Sequence, residues 1–135
     1  IDPATGEIVA GARRPDGQGP ADTLRVMGQM AGGASSAFGS STVIGVVATN
    51  GRLTKGEANT VAQMAQDGIA RTMRPAHTMF DGDTIFALAT GSVETDVNVV
   101  GGYAAQMVAE SILRAVKTAK GVGGVPAHAE LWTGA

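Results

Sequence analysis

Two short, almost uninterrupted apolar runs constrain this sequence more than anything else in it: Val43-Ile44-Gly45-Val46-Val47-Ala48 and Thr84-Ile85-Phe86-Ala87-Leu88-Ala89-Thr90. Such runs read as strands covered on both faces, because a half-solvated strand alternates apolar with polar residues. Between them, Thr54-Lys55-Gly56-Glu57 is a capping box, in which the Thr oxygen accepts from the third helical N–H while Glu57 reaches back. Ala58, Val61, Ala62, Ala65, Ile69 and Met73 then recur on one helical face, and Pro75 stops that helix near Arg74. A second long helix is predicted from about Val99 to Lys120, with Ala104, Val108, Ile112, Ala115 and Ala119 as its stripe and Gly121 as a C′ stop. Strand, helix, strand, helix is a layered α/β arrangement. The Ala-rich faces of both helices allow close approach to a sheet.

The signals before and after this unit are weaker. Asp2-Pro3-Ala4-Thr5-Gly6 is turn chemistry, Glu7-Ile8-Val9-Ala10 is read as a short edge strand, and Arg13-Arg14-Pro15-Asp16-Gly17 breaks again. Leu24, Met27 and Met30 have helical spacing, which suggests a short helix over 21–31. Residues 32–41 are almost all Gly, Ala and Ser and read as a flexible linker. Residues 121–135 look loosely structured. The total of 135 residues allows one ordinary domain.

Composition narrows the chemistry. There is no cysteine, so no disulfide, thiolate nucleophile or Cys-ligated metal is available, and a reducing, cytoplasmic setting is expected. Only His77 and His128 exist to serve a Ser-His-Asp triad. Ten basic and twelve acidic residues leave a net charge of −2, which offers no broad cationic face to nucleic acid. No apolar run approaches the roughly 20 residues that span a bilayer. The glycines have neither P-loop nor dinucleotide spacing, and no cofactor is expected. The start shows no basic region followed by an apolar stretch, so no signal peptide is visible, and the missing Met points to processing or to a fragment.

A hydroxyl, carboxylate or amine must therefore carry any nucleophilic chemistry. Thr42 stands at the junction of the Gly/Ser segment and the first strand. An N-terminal-nucleophile hydrolase needs a hydroxyl in such a place, since breaking the bond before it frees an α-amine with a pKa near 8 that serves as its base. The plainer alternative is a Thr that merely starts a strand. Asp81-Gly82-Asp83 precedes the second strand, where two carboxylates at a sheet mouth can hold an ammonium, orient a hydroxyl or bind a hard cation. The alternative there is a turn with solvated carboxylates, and a calcium loop would need more oxygen ligands. His77 lies between the helix stop and this acidic turn and is a candidate for orienting substrate or carboxylate. His128 receives no role.

Taken in order, Ser41-Thr42-Val43-Ile44-Gly45-Val46-Val47-Ala48-Thr49-Asn50, Arg74-Pro75-Ala76-His77-Thr78 and Asp81-Gly82-Asp83-Thr84-Ile85-Phe86-Ala87-Leu88-Ala89-Thr90 resemble the DmpA-type aminopeptidase family, which includes β-peptidyl aminopeptidases and nylon-oligomer hydrolases. The similarity runs from about residue 40 to 120. It implies an αββα sandwich, reminiscent of N-terminal-nucleophile hydrolases, in a precursor that cuts itself into a long and a short subunit. By resemblance, Thr42 matches the nucleophile, the Ser41–Thr42 bond the cleavage site, and Asp81 and Asp83 the positions that orient nucleophile and substrate amine. Ser41 departs from the Asn or Gly that relatives often carry before the scissile bond. Gly39-Ser40 also resembles a cleavage pair, but Thr42 needs no gap to reach the Asp-Gly-Asp block.

Family members are longer, and their upstream part supplies further active-site groups that this chain lacks. Residues 1–39 are thus expected to be the end of an upstream long-subunit region with its linker, and 40–135 a short-subunit-like catalytic portion. The implied function is a self-processing amidohydrolase or aminopeptidase acting on peptides or small amides. Its implied partners are the upstream long subunit and, as in relatives, further copies of itself, with neither nucleic acid nor membrane. The contrasting reading is an inactive, truncated relative that serves as an interaction or assembly module.

Overall fold

The computed structural model describes residues 1–17, 19–30 and 41–131. The expected linker, apart from Ser41, lies outside these residues, as does Ser40. The described elements, in chain order, are α1 (Thr23–Gln29), β1 (Ile44–Gly51), α2 (Lys55–Thr72), β2 (Thr84–Val93), α3 (Val97–Thr118) and α4 (His128–Leu131).

Side-chain oxygens start the first three helices. Asp22 accepts from the Arg25 N–H at α1 and Asp96 from those of Asn98 and Val99 at α3. At α2 the capping box is complete: Glu57 N–H donates to Thr54 Oγ1 at 3.3 Å, and Thr54 N–H to Glu57 Oε2 at 2.7 Å. These bonds satisfy helix-terminal N–H groups that have no intrahelical acceptor. They also favour the charged carboxylates, which the helix N-terminus attracts. The Asn98 and Val99 N–H groups hold the Asp96 carboxyl below its ordinary range, and the Thr54 N–H and hydroxyl do the same for Glu57.

Strands β1 and β2 are parallel neighbours, paired in step from Ile44↔Thr84 to Thr49↔Ala89, with an irregularity before Gly51↔Val93. A further bridge, Ser41↔Asp81, continues the same register upstream. Helix α2 forms the crossover that a parallel pair requires. The core is the apolar stripe of α2 (Val61, Ala65, Ile69) against Ala104 and Val108 of α3 and Ile85 of β2, with Val43, Val47 and Ala87 packed beside it. Residues of the sheet that alternate with these point away from both helices.

Several expectations need correction. The Glu7–Ala10 segment is not a strand. Val9 is buried, and its carbonyl lies 2.8 Å from His128 Nδ1, so a side chain has taken the place of a ladder partner. Gly121 is not a left-handed stop; α3 ends at Ala119 in extended backbone, and Gly121 N–H donates to Glu130. The small-residue faces are used mainly between helices rather than against the sheet. A Cβ on Gly68 would sit 2.5 Å from the Ala105 carbonyl oxygen and 2.7 Å from Val108 Cβ, so the missing side chain sets how closely α2 and α3 approach. Among the described residues, finally, the strands are covered on one face only. Ile44 (71% exposed), Val46 (60%), Phe86 (55%) and Leu88 (59%) form an open apolar face. Among the described residues no helix is long and apolar enough to cross a membrane.

Candidate active site

The upstream end of the two strands gathers the residues that the sequence singled out. Thr42 lies between the Ser41↔Asp81 bridge and the Ile44↔Thr84 pair, opposite Gly82. Alternation places the exposed Thr42 side chain on the open face with Ile44 and Val46, because Val43 and Val47 turn toward the core. A Cβ built on Gly82 would lie 2.9 Å from Thr42 Oγ1, so the hydroxyl stands directly over the glycine.

The peptide unit before Thr42 is held firmly. Ser41 N–H donates to the Phe80 carbonyl at 3.1 Å, and the Ser41 carbonyl accepts from Gly82 N–H at 3.0 Å. The Ser41–Thr42 bond thus sits at the start of a parallel ladder, with its carbonyl oxygen already facing a backbone donor. A hydrogen bond to that oxygen stabilises negative charge developing on it during nucleophilic attack.

The two carboxylates occupy different surroundings. Asp83 has a side chain only 6% exposed, and its Oδ1 accepts from Val43 N–H at 2.9 Å. The carboxylate takes the donor that a regular parallel ladder would direct to a carbonyl of the neighbouring strand. The other oxygen lies 3.7 Å from His77 Nδ1, beyond a hydrogen bond but close enough for attraction when the imidazole is protonated. His77 takes a positive φ of 56°, uncommon for a residue with a side chain, which turns its ring toward the strand end. Asp81 faces the turn before β2, where its Oδ2 accepts from Thr78 N–H at 2.8 Å and from the Thr78 hydroxyl at 2.9 Å. That closed loop fixes the approach to Gly82.

The structure therefore brings Thr42, Asp83 and His77 to one strand end, with Asp81 one step upstream. It separates His128, which is engaged with Val9. Sequence reasoning missed Thr78 and the role of Gly82. Thr78-x-x-Asp81 has the spacing of a capping box, in which the acid reaches back to the Thr N–H, and the sequence contains it. Ser41 and Asp81 also line a cavity of about 340 Å³ whose walls include Val9, Met27, Phe80 and Ile112, with the Asp22–Arg74 ion pair (3.1 Å) at its side. Among the described residues no group of three or more His, Asp or Glu side chains is arranged to hold a metal ion.

The model of peptidase family S58 matches residues 10–130. The chain is 46% identical over 109 residues to an uncharacterized aminopeptidase of Mycobacterium leprae, an alignment covering 70% of this chain and 30% of that protein. It is 36% identical over 160 residues to an uncharacterized aminopeptidase of Mycobacterium bovis, covering all of this chain and 45% of the relative. A 6-aminohexanoate-oligomer endohydrolase of Kocuria sp. is 28% identical over 89 residues, which cover 56% of this chain and 25% of that enzyme. The chain thus spans less than half the length of the curated relatives it matches.

Proposed function

The chain belongs to peptidase family S58, and from that membership we propose that it is the catalytic C-terminal part of a self-processing amidohydrolase. The observation that carries this reading is the seat of Thr42: an exposed hydroxyl on the open sheet face, next to a Ser41 carbonyl whose oxygen accepts from Gly82 N–H. Thr42 Oγ1 attacks the Ser41 carbonyl carbon and the Ser41–Thr42 C–N bond breaks. The hydroxyl proton passes to the departing nitrogen and an ester remains. Water hydrolyses the ester, releasing a Ser41 carboxylate and leaving Thr42 with both a free hydroxyl and a free α-amine.

The same hydroxyl then acts on substrate. Its proton goes to the α-amine, the substrate acyl group is transferred to Oγ1, and the proton returns to the leaving amine. Water completes the cycle. Asp83, anchored on Val43 N–H and flanked by His77, holds the new N-terminus in place. Asp81 or Asp83 receives the ammonium of the substrate, which favours removal of an N-terminal residue. The names of the relatives, aminopeptidase and 6-aminohexanoate-oligomer endohydrolase, share amide hydrolysis. Peptides and small amides are therefore the proposed substrates.

The open face of Ile44, Val46, Phe86 and Leu88 is where the upstream long subunit docks, giving the second sheet of an αββα sandwich. Residues 1–39 are the end of that subunit and its linker, and 40–135 the short-subunit portion. The upstream part also brings oxyanion donors, each worth about 3–4 kcal/mol of barrier reduction, and the processed protein assembles into homo-oligomers.

The test is intact mass of the full-length precursor. Two fragments summing to the precursor plus one water are expected, the second starting at Thr42, and Thr42→Ala should remain whole and inactive on amide substrates. A Thr42→Ala protein that still cut itself would overturn the assignment, and a second fragment starting at Ser40 would move the nucleophile.

A further inference from the structure

The further inference concerns Gly82 and rests on Thr42 being the nucleophile. Gly82 is not one of the glycines with positive φ, so its backbone does not call for a residue without a side chain. Glycine in a strand weakens it relative to residues with side chains and marks a bulge, a bend or a close approach. Here the approach is that of one atom. A methyl carbon at this position would stand 2.9 Å from Thr42 Oγ1, against 3.8 Å from Cγ2 and 3.9 Å from Cβ. The space is matched to the hydroxyl rather than to the side chain as a whole.

We infer that Gly82 is a positioning residue whose missing side chain is the space in which the Thr42 hydroxyl is held for attack on the Ser41 carbonyl. The neighbours cannot yield to a methyl group there. Asp83 is tied to Val43 N–H, Asp81 to Thr78, and the Gly82 N–H to the Ser41 carbonyl itself. The displaced group is then the hydroxyl. Thr is β-branched and stiff at χ1, so moving Oγ1 also swings Cγ2 into a new contact. Self-cleavage forms the Oγ1–C bond and breaks the C–N bond while the proton moves from Oγ1 to that nitrogen, and it depends on that starting angle. Gly82 therefore selects one setting of the Thr42 hydroxyl over the others. A serine hydroxyl attacking the same carbonyl would need the same vacant space.

The experiment compares four full-length precursors by the time course of their intact mass: wild type, Gly82→Ala, Thr42→Ser and the double variant. A misplacement of about 1 Å in a reacting group costs on the order of 100-fold, so Gly82→Ala should slow self-cleavage to that extent. In the Thr42→Ser background the same substitution should also slow cleavage, because that hydroxyl attacks from the same place. Cleavage of Gly82→Ala at the wild-type rate would overturn the inference. So would a slowing that tracks a lowered melting temperature of the uncut variants, which is the mark of a general folding defect. A wild-type precursor that stays whole would instead remove the self-processing reading, and this inference with it.

Discussion

Asp83 shows how much one residue can carry in a site this small. Its carboxylate is nearly buried and replaces a ladder acceptor for Val43 N–H while leaving one oxygen toward His77. A hydrogen bond to a charged group contributes about 1.5–3 kcal/mol, and Asp83→Ala should lose it. We expect that variant to process slowly, with turnover of an aminoacyl amide reduced roughly tenfold to a hundredfold by the same energy. Asp83→Asn keeps an oxygen for Val43 N–H, so self-cleavage should fall less than turnover, which also needs the negative charge beside the new α-amine. Rates of the two steps, measured separately, check this; equal losses in both would refute the division of roles. At this scale the sequence was informative where chemistry is scarce. With no cysteine and two histidines, Thr42, Asp81 and Asp83 stood out by elimination and motif. Gly82 and Thr78 did not, because their roles depend on which residue lies across the strand pair. The alternation within one strand shows which face a residue takes, but not which residue of the other strand lies beside it.

The elements were the most legible level. The apolar runs and the capping box placed β1, α2 and β2 to within a few residues, and the stripe beginning at Ala104 placed most of α3. What could not be read was the partner of each face. The small residues of α2 and α3 looked suited to a sheet, yet Gly68 lies against the backbone of Ala105 and Ala109. Gly68→Ala should therefore destabilise the full-length protein by about 1–3 kcal/mol of overpacking, against which helix propensity returns roughly 1 kcal/mol. The contact is with backbone atoms, so the loss should win, and a lower urea midpoint checks it. The α3 cap adds a pH dependence. Asp96 has its folded pKa depressed, first by the Asn98 N–H, so its contribution is full above the unfolded carboxylate range and is lost as pH falls through the folded value. Asp96→Asn keeps the cap and loses the titration. Its urea midpoint should match wild type less closely at neutral pH than in acid, where wild type has lost its advantage.

At the scale of the whole molecule, the described residues are asymmetric about the sheet. One face is closed by α2 and α3, and the other presents Ile44, Val46, Phe86 and Leu88 to solvent. Parallel sheets are almost always covered on both faces, which is why continuous apolar runs suggested full coverage. The runs call for cover on the second face as well, which the proposed upstream subunit would supply. Expressed alone, the chain should bind a hydrophobic dye and aggregate; joined to its upstream region it should bind no dye and form only oligomers of defined size. Val46→Lys in the full-length precursor should restore dye binding and lower the yield of the assembled protein, as read by gel filtration. A full-length Val46→Lys protein that assembled normally would show that the upstream part docks elsewhere.

The constant step between β1 and β2 has one more consequence, for quality control. Thr42 meets Gly82, and Ser41 its donor, only when the two strands pair in the register that runs from Ser41↔Asp81 to Thr49↔Ala89. A slip by one residue would bring an aspartate opposite the hydroxyl and turn the apolar set to the wrong side. Such a molecule would stay whole. If maturation runs through Thr42, the severed bond is a record of correct folding written into the chain itself. The fraction of cut protein in a preparation then counts the molecules whose sheet was assembled in step.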